Sequence, residues 1–119
     1  MLIYRVEDES GVGPYRMTAM RTAQQKALAS LLGSAHNLSE THPLPSKDGM
    51  EQVWFQRHIL YGFTSIEAAR EWFAGFETDL AETGYSLNVM NVPDALVVQG
   101  VKQCGFFGGV EKRLESVTL

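Results

Sequence analysis

The sequence predicts a single α+β domain in which two main helices pack on a twisted, mostly antiparallel sheet. Residues 59–92 follow the order strand, capped helix, glycine and strand, and they hold much of the large apolar surface of the chain. Several short strand-like segments then follow one another without a helix between them, which favours antiparallel pairing. The length of 119 residues fits one domain with one hydrophobic core.

Residues 64–84 are predicted to form the central helix. Thr64, with Glu67 three residues later, forms a capping box, and Ser65 is an alternative N-cap. One face of this helix is apolar because large residues recur at three- and four-residue steps: Ile66, Ala69, Trp72, Phe73, Phe76 and Leu80. Gly84 is expected to end the helix, and Gly75 within it predicts close packing against a neighbouring element.

The chain before residue 51 contributes one strand, one helix and one long loop. Residues 1–7 alternate as a strand, with Ile3 and Arg5 on one face and Leu2, Tyr4 and Val6 on the other. Residues 17–32 predict the first helix, capped by Thr18 or Thr22 and ended by Gly33. Its predicted apolar stripe consists of Met20, Ala23, Ala27 and Leu31, widened by Leu28 and Leu32. Residues 36–50, with two prolines and many polar side chains, predict a long loop of the kind that often has a function.

Strands dominate the remaining segments. A strand is expected from Ile59, and a second over residues 85–92 after the central helix. Residues 94–99 and 102–107 predict two short strands around the turn at Gly100. Residues 110–119 predict a polar tail that forms a frayed helix or strand.

Composition excludes some classes of function. The formal charge of −4 and the pI near 5.3 argue against general binding to nucleic acid phosphates. Cys104 is the single cysteine, which excludes an intramolecular disulfide and a cysteine-based zinc site and fits a reducing compartment. The N-terminal residues show no signal peptide and the chain shows no membrane span, so we expect a cytoplasmic protein.

Two segments could bind an anion. Arg5 is interpreted mainly as an edge-strand side chain that reaches solvent; were its face covered, it would need a carboxylate or a ligand phosphate as a partner. The loop at residues 11–16 contains Gly11, Gly13 and Arg16, which could surround an anion, but it lacks the spacing of known phosphate loops. We therefore favour its interpretation as a simple turn.

The histidines and the candidate nucleophiles give no strong signal of catalysis. His36, His42 and His58 lack any metal-site spacing, so no metal site is predicted, and we interpret them as a solvated loop pair and a strand histidine. Ser65 lacks the nucleophile elbow of hydrolases, and Cys104 is expected to be a buried small residue.

Trp54 is a candidate contact residue for a protein partner. It adjoins Phe55 in a strand-like segment, so one of the two side chains must point away from the core. Tryptophan is frequent at interface hot spots, and the neighbouring 36–50 loop carries His42, so both residues are predicted to bind a partner. The alternative is that Trp54 packs under the long loop.

The order of three short motifs resembles the ADP-ribosyltransferase-like fold. These motifs are Tyr4-Arg5 on the first strand, Gly62-Phe63-Thr64-Ser65 leading into a helix with Ala69 and Phe73, and Val97-Val98-Gln99-Gly100-Val101-Lys102-Gln103 late in the chain. The resemblance implies that Arg5 contacts the phosphates or ribose of NAD and that Ser65 is the supporting serine. It also implies that Gln103, or alternatively Gln99, stands where that family has a glutamate. Because an amide cannot stabilise a ribosyl cation as a carboxylate does, this departure favours binding over turnover.

The small size and lone cysteine also resemble proteins encoded by phages and prophages, which include inhibitors of host defence such as anti-CRISPR proteins. That class often acts by binding alone. Two hypotheses follow. The first is a cytoplasmic, phage-derived interaction protein without a cofactor, which inhibits a host protein through Trp54, the 36–50 loop and its acidic surface. The alternative is an ADP-ribosyltransferase-like enzyme or NAD-binding domain, with NAD as its cofactor.

Overall fold

The computed structural model describes residues 1–15, 22–36, 41–51 and 58–119. Within them the strands are β1 Leu2–Glu7, β2 Ile59–Gly62, β3 Ser86–Asn91, β4 Val97–Gln99, β5 Cys104–Phe107 and β6 Lys112–Val117. The α-helices are α1 Ala23–Ala35, α2 Ile66–Trp72 and α3 Glu77–Glu82, and short 3₁₀ turns lie at Pro45–Lys47 and Asp94–Leu96. The predicted α+β class is confirmed.

The strands form two antiparallel sheets of three strands each. The first has the order β1-β3-β6 and the second the order β2-β5-β4. They join where the Tyr4 and Phe63 backbones exchange two hydrogen bonds of 2.7 and 2.8 Å. A Cβ at Gly62 would lie 2.7 Å from Ile3 Cγ2 and 2.9 Å from the Tyr4 carbonyl oxygen. The close approach of the sheets therefore depends on a glycine here.

Two apolar clusters fill the space around β1. The larger cluster joins β1 and β3 to the three helices and contains Val6, Leu28, Ala29, Leu32, Phe63, Ala69, Phe73, Leu80, Tyr85 and Leu87. The smaller cluster lies between the sheets and contains Ile3, Met90, Val92, Cys104 and Phe106. Because Val6 belongs to the first cluster and Ile3 to the second, β1 is covered on both faces.

The predicted central helix is in fact two helices. Ser65 rather than Thr64 caps α2, since its hydroxyl accepts a hydrogen bond from the Ala68 N–H at 3.1 Å. Gly75 separates α2 from α3 with φ +89°, and a Cβ there would meet nothing within 4 Å. The prediction of close packing at Gly75 is therefore wrong, because the position requires a left-handed backbone instead. Gly84, with φ +95°, follows α3 as predicted.

The first helix differs from its prediction in phase and in length. Thr22 is the N-cap, as one alternative held, and residues 16–21 lie outside the described part of the chain. The helix continues through Gly33 to Ala35, so the predicted stop is wrong. The buried side chains are Gln25, Leu28, Ala29 and Leu32, whereas Ala23, Ala27 and Leu31 of the predicted stripe are exposed. The apolar cluster that contains Val6 determines which face of α1 is buried. The pattern of apolar residues along the helix does not reveal where that cluster lies.

The C-terminal segment is part of the fold. Of the two alternatives for the polar tail, the strand is correct: β6 pairs with β3, with an irregularity in register at Val89 and Met90. Cys104 is fully buried, as predicted, and this burial raises the pKa of its thiol to about 12. None of the helices described above is long and apolar enough to cross a membrane.

Candidate binding pocket

A pocket of about 840 Å³ opens where four parts of the chain meet. They are β1 with the loop after it, the C-terminal end of α1, the segment at residues 41–51 and the junction of β2 with α2, and Gln103 adds to the wall. The walls are mainly apolar and aromatic, with Tyr15, Phe63, Trp72 and Phe73 among them. This volume is in the range typical of ligand sites, which hold a few polar groups in a mostly apolar cavity.

Four of the lining side chains form one connected cluster, which we call the ring cluster: Tyr15, His36, His42 and Trp72. The indole N–H of Trp72 donates to the Tyr15 hydroxyl oxygen at 2.9 Å, and the hydroxyl is hydrogen-bonded in turn to His36 Nδ1. The His36 ring stacks on that of His42, with centroids 3.7 Å apart and planes 6° from parallel. His42 Nε2 donates to the Trp72 carbonyl oxygen at 2.7 Å, which closes the circuit.

These contacts determine which nitrogen of His42 carries a proton, and they support one tautomer of His36. A carbonyl oxygen only accepts, so His42 carries a proton on Nε2. The Tyr15 oxygen accepts from Trp72, and we assign the Tyr15 proton to the bond with His36 Nδ1, which places the proton of neutral His36 on Nε2. Burial, with a contribution from the charge of His42, lowers the pKa of His36 to about 4. His36 is therefore neutral at physiological pH.

The histidine pair was misinterpreted from sequence. We expected a solvated loop pair, but His36 caps the C-terminal end of α1 and both rings are partly buried against Trp72. The loop length gave no reason to expect stacking, and Tyr15 gave no signal because its partners come from distant segments. In the sequence, the one indication of this cluster was the presence of aromatic residues together with two histidines.

Arg5 also lines the pocket, and it belongs to a second cluster, which we call the carboxylate cluster. Its guanidinium donates from Nε to Glu7 Oε2 at 2.9 Å and from NH1 to the Tyr61 carbonyl oxygen at 2.8 Å. Arg5 is only 7% exposed. The favoured interpretation of a solvent-reaching arginine is therefore wrong, because the smaller apolar cluster covers its face of β1.

Glu7 is the centre of the carboxylate cluster and is fully buried. Besides Arg5 it accepts from Arg113 Nε at 2.8 Å, from Arg113 NH2 at 3.1 Å and from Asn88 Nδ2 at 2.7 Å. Burial alone would raise the pKa of Glu7, but the hydrogen bonds from Arg113 and Asn88 and the charge of Arg5 outweigh it and lower the pKa. The carboxylate thus satisfies Arg5 from within the protein.

Gln103 lines the pocket as well, but its side chain is occupied in the fold. The amide Nε2 donates to the Pro43 carbonyl oxygen at 2.8 Å, and the side chain is buried. Nearby, the buried Asp48 carboxylate accepts from the backbone N–H groups of Lys102 and Gln103, each at 2.9 Å. These bonds tie the segment at residues 41–51, which forms the pocket rim, to the turn before β5.

The remaining predicted site residues are distributed unevenly. His42 lies in the pocket wall, whereas Ser65 is not among the described lining residues and is engaged as the α2 cap. Trp54 and Arg16 lie outside the described residues. In the loop after β1, Asp8 Oδ1 accepts from the Ser10 and Val12 N–H groups, as the simple-turn interpretation expects. Among the described residues, no three His, Cys, Asp or Glu side chains are grouped as a metal site requires.

The fold and its pocket define a small α+β protein with an aromatic-lined cavity. The chain belongs to the Bacteriophage T4 Y00F protein family, whose model matches residues 1–119. The predicted resemblance to small phage proteins is thereby confirmed. Searches of curated proteins and of solved structures gave no match.

Proposed function

We propose that this phage protein binds a host protein and inhibits it by occupancy, without turnover. The observation that carries the proposal is the pocket, whose walls offer aromatic surface and no activated nucleophile among the described lining residues. The side chains of Arg5 and Gln103, which the enzyme hypothesis requires, are engaged by Glu7 and Pro43. A cavity of this kind is suited to receive an anchor side chain from a partner.

The pocket rim supports the same proposal. Leu44, in the segment at residues 41–51, lines the pocket and is 68% exposed, and Tyr15 on the facing loop is 42% exposed. Apolar side chains at the rim of a cavity lose solvent contact when a partner covers them, at about 25 cal/mol per Å². His42 contributes by holding this segment against Trp72.

Gly33 provides a direct test. It lies on α1 three residues before His36, lines the pocket, and a Cβ added there would meet nothing within 4 Å. A Gly33→Phe substitution therefore adds a large side chain at the pocket wall, at a position where the Cβ has open space. Ser34→Phe is the matched control, because this neighbouring helical residue is exposed and does not line the pocket.

The experiment is a pull-down from bacterial lysate with the wild-type protein and both variants, read by intact-mass spectrometry. We expect the wild-type and Ser34→Phe proteins to capture one unmodified host protein stoichiometrically and Gly33→Phe to lose it. Equal capture by Gly33→Phe would show that the pocket is not the binding site. A mass increase on the captured protein would show turnover and reject inhibition by occupancy.

NAD binding of the ADP-ribosyltransferase type is a second candidate, favoured by one observation: Arg5 and Gln103 line the same pocket. The test is calorimetric titration with NAD. If NAD binds there, Arg5→Ala weakens binding strongly, and the fold of the variant is checked by circular dichroism because Arg5 also pairs with Glu7. Absence of binding heat with the wild-type protein, or unchanged binding by the folded variant, rejects this candidate.

A further inference from the structure

We infer that the pocket receives an aromatic side chain of the host protein that bears a hydrogen-bond acceptor and no positive charge. The phenol of a tyrosine has this chemistry. The inference rests on the proposed function and specifies the occupant of the same pocket. Three properties of the described lining residues lead to it.

The first property is a directed hydrogen-bond donor in the wall. With the Tyr15 proton assigned to the bond with His36 Nδ1, the proton of the neutral ring lies on Nε2. In the part of the chain that the structure describes, no group accepts from Nε2, and no buried side-chain nitrogen or oxygen is left without a partner. His36 Nε2 is therefore accessible, and it offers one N–H to an acceptor on the guest.

The second property is the arrangement of rings around that donor. The His36 centroid lies 6.0 Å from that of Phe73 and 6.1 Å from that of Trp72, and Tyr15 stacks on Phe73 at 6.1 Å. Aromatic pairs are favoured at separations of about 4.5–7 Å. A planar guest beside His36 would thus meet ring faces and edges while its polar atom reaches Nε2.

The third property is the charge of the lining. The chain contains 14 Asp and Glu residues, but none of the described residues that line the pocket is acidic. Arg5 is the described lining residue with a permanent positive charge. Burying a cation costs heavily without a carboxylate to pair with it, so a lysine or arginine side chain is a poor occupant.

The test is an NMR titration of the ¹⁵N-labelled protein near pH 7 with four side-chain analogues, read at the Gly33 and Phe63 amides. The analogues are toluene, p-cresol, 4-methylanisole and benzylamine. The phenol and the ether both carry an acceptor oxygen, so each should bind about three- to tenfold more tightly than toluene, the range expected for one hydrogen bond. Benzylamine, a cation at this pH, should bind more weakly than toluene.

The variant His36→Phe retains an aromatic ring and removes the donor. We expect it to bind toluene, p-cresol and 4-methylanisole equally, whereas Ser34→Phe keeps the wild-type preference. In the wild-type protein, p-cresol should also shift the imidazole Nε2 resonance of His36, which provides a test that does not depend on a variant. Equal affinities in the wild-type protein, or no shift at Nε2, would overturn the inference.

The two proposals fail in different ways. If Gly33→Phe abolishes host-protein capture but the analogues show no acceptor preference, the pocket binds the host protein and the assigned occupant is wrong. If the preference is present but Gly33→Phe captures the host protein normally, the proposed function fails and, with it, the assignment of the occupant to that protein.

Discussion

Arg5 of the carboxylate cluster lines the same pocket as the ring cluster, but the two clusters are built in opposite ways. Glu7 is a fully buried charge bonded to Arg5, Arg113 and Asn88. His36 is a neutral ring that is bonded at Nδ1 and leaves Nε2 accessible. In the first cluster the carboxylate is hydrogen-bonded by neighbouring side chains of the protein. In the second cluster one N–H group of a neutral ring stays accessible to a guest.

This difference separates a structural role from a binding role. Removing one partner of a buried ion pair destabilises the folded state, because the other charge stays buried, and a ligand gains little by competing for such a pair. A neutral N–H group in an aromatic wall costs less to desolvate than a charge, and it can donate a hydrogen bond to a guest. Variants of the carboxylate cluster should therefore change stability first, and variants of the ring cluster should change binding first.

The largest effect is expected for Glu7→Gln. The substitution keeps the shape of the side chain but removes the negative charge from the buried Arg5–Glu7 pair, and removing one partner of a buried pair costs about 3–5 kcal/mol. The free energy of unfolding is measured by urea denaturation, with Glu115→Gln on the exposed face of β6 as control. A loss below about 0.5 kcal/mol, as for a surface residue, would contradict a structural role.

The second-largest effect is expected in the pH dependence of the free energy of unfolding, which should differ between the two clusters. His36 has an ordinary pKa of 6.5 and a folded-state pKa of about 4, so the unfolded chain binds its proton first as the pH falls. The free energy of unfolding therefore decreases as the pH falls from about 6.5 toward about 4. The pKa of Glu7 is lowered from 4.5, so its contribution is lost in the same direction, but only below that value.

The measurement is a series of urea titrations between pH 7 and pH 4 on the wild-type protein and His36→Phe. The variant should show a flatter profile between pH 6.5 and pH 4.5, the interval that belongs to His36 rather than to Glu7. Parallel profiles would show that His36 does not carry this dependence.

A smaller effect is expected for Tyr15→Phe, which removes the hydroxyl between Trp72 and His36. Because Tyr15 is 42% exposed and water can replace the lost bonds, the stability should fall by only about 0.5–1.5 kcal/mol. The more informative readout is the His36 imidazole, whose tautomer is no longer fixed and whose ¹⁵N resonances should average. Unchanged resonances would show that Tyr15 does not set the tautomer.

The smallest effect is expected for Gly33→Ala, and it has the opposite sign. This glycine lies inside α1 with open space beside it, so alanine should stabilise the protein by about 0.5–1 kcal/mol. Gly75→Ala is the matched control, because its φ of +89° should make the same change destabilising. Thermal melting of both variants checks the sign, and a destabilised Gly33→Ala would indicate that the space at α1 is not open.

The sequence predicted the fold class and the element order because these depend on local patterns. Each of these patterns is visible within a short stretch of sequence: the period-two alternation of β1, the apolar face with Ala69, Phe73 and Leu80, and the glycine after α3. The break at Gly75 was missed because a glycine inside an apolar helical pattern does not reveal whether it relieves crowding or adopts a positive φ.

The candidate site was predicted less well, because it depends on contacts between distant segments. His42 was chosen, but its stacking on His36 and its bond to Trp72 join residues up to 30 positions apart. Arg5 was correctly identified as the residue that needs an anion if covered. The anion is Glu7, two residues along the same strand, and only the packing of both faces of β1 shows that the pair is buried.

The hydrogen bonds of Asp48 allow the state of the pocket rim to be measured at amides that are distant in sequence. Its carboxylate holds the amide hydrogens of Lys102 and Gln103, 54 and 55 residues away, and its carbonyl oxygen holds that of Val101. These amides can exchange with solvent deuterium only when the rim segment separates from the turn. A guest that clamps the rim should slow their exchange, and one that displaces the rim should accelerate it, so three backbone amides of the turn report the occupancy of the pocket.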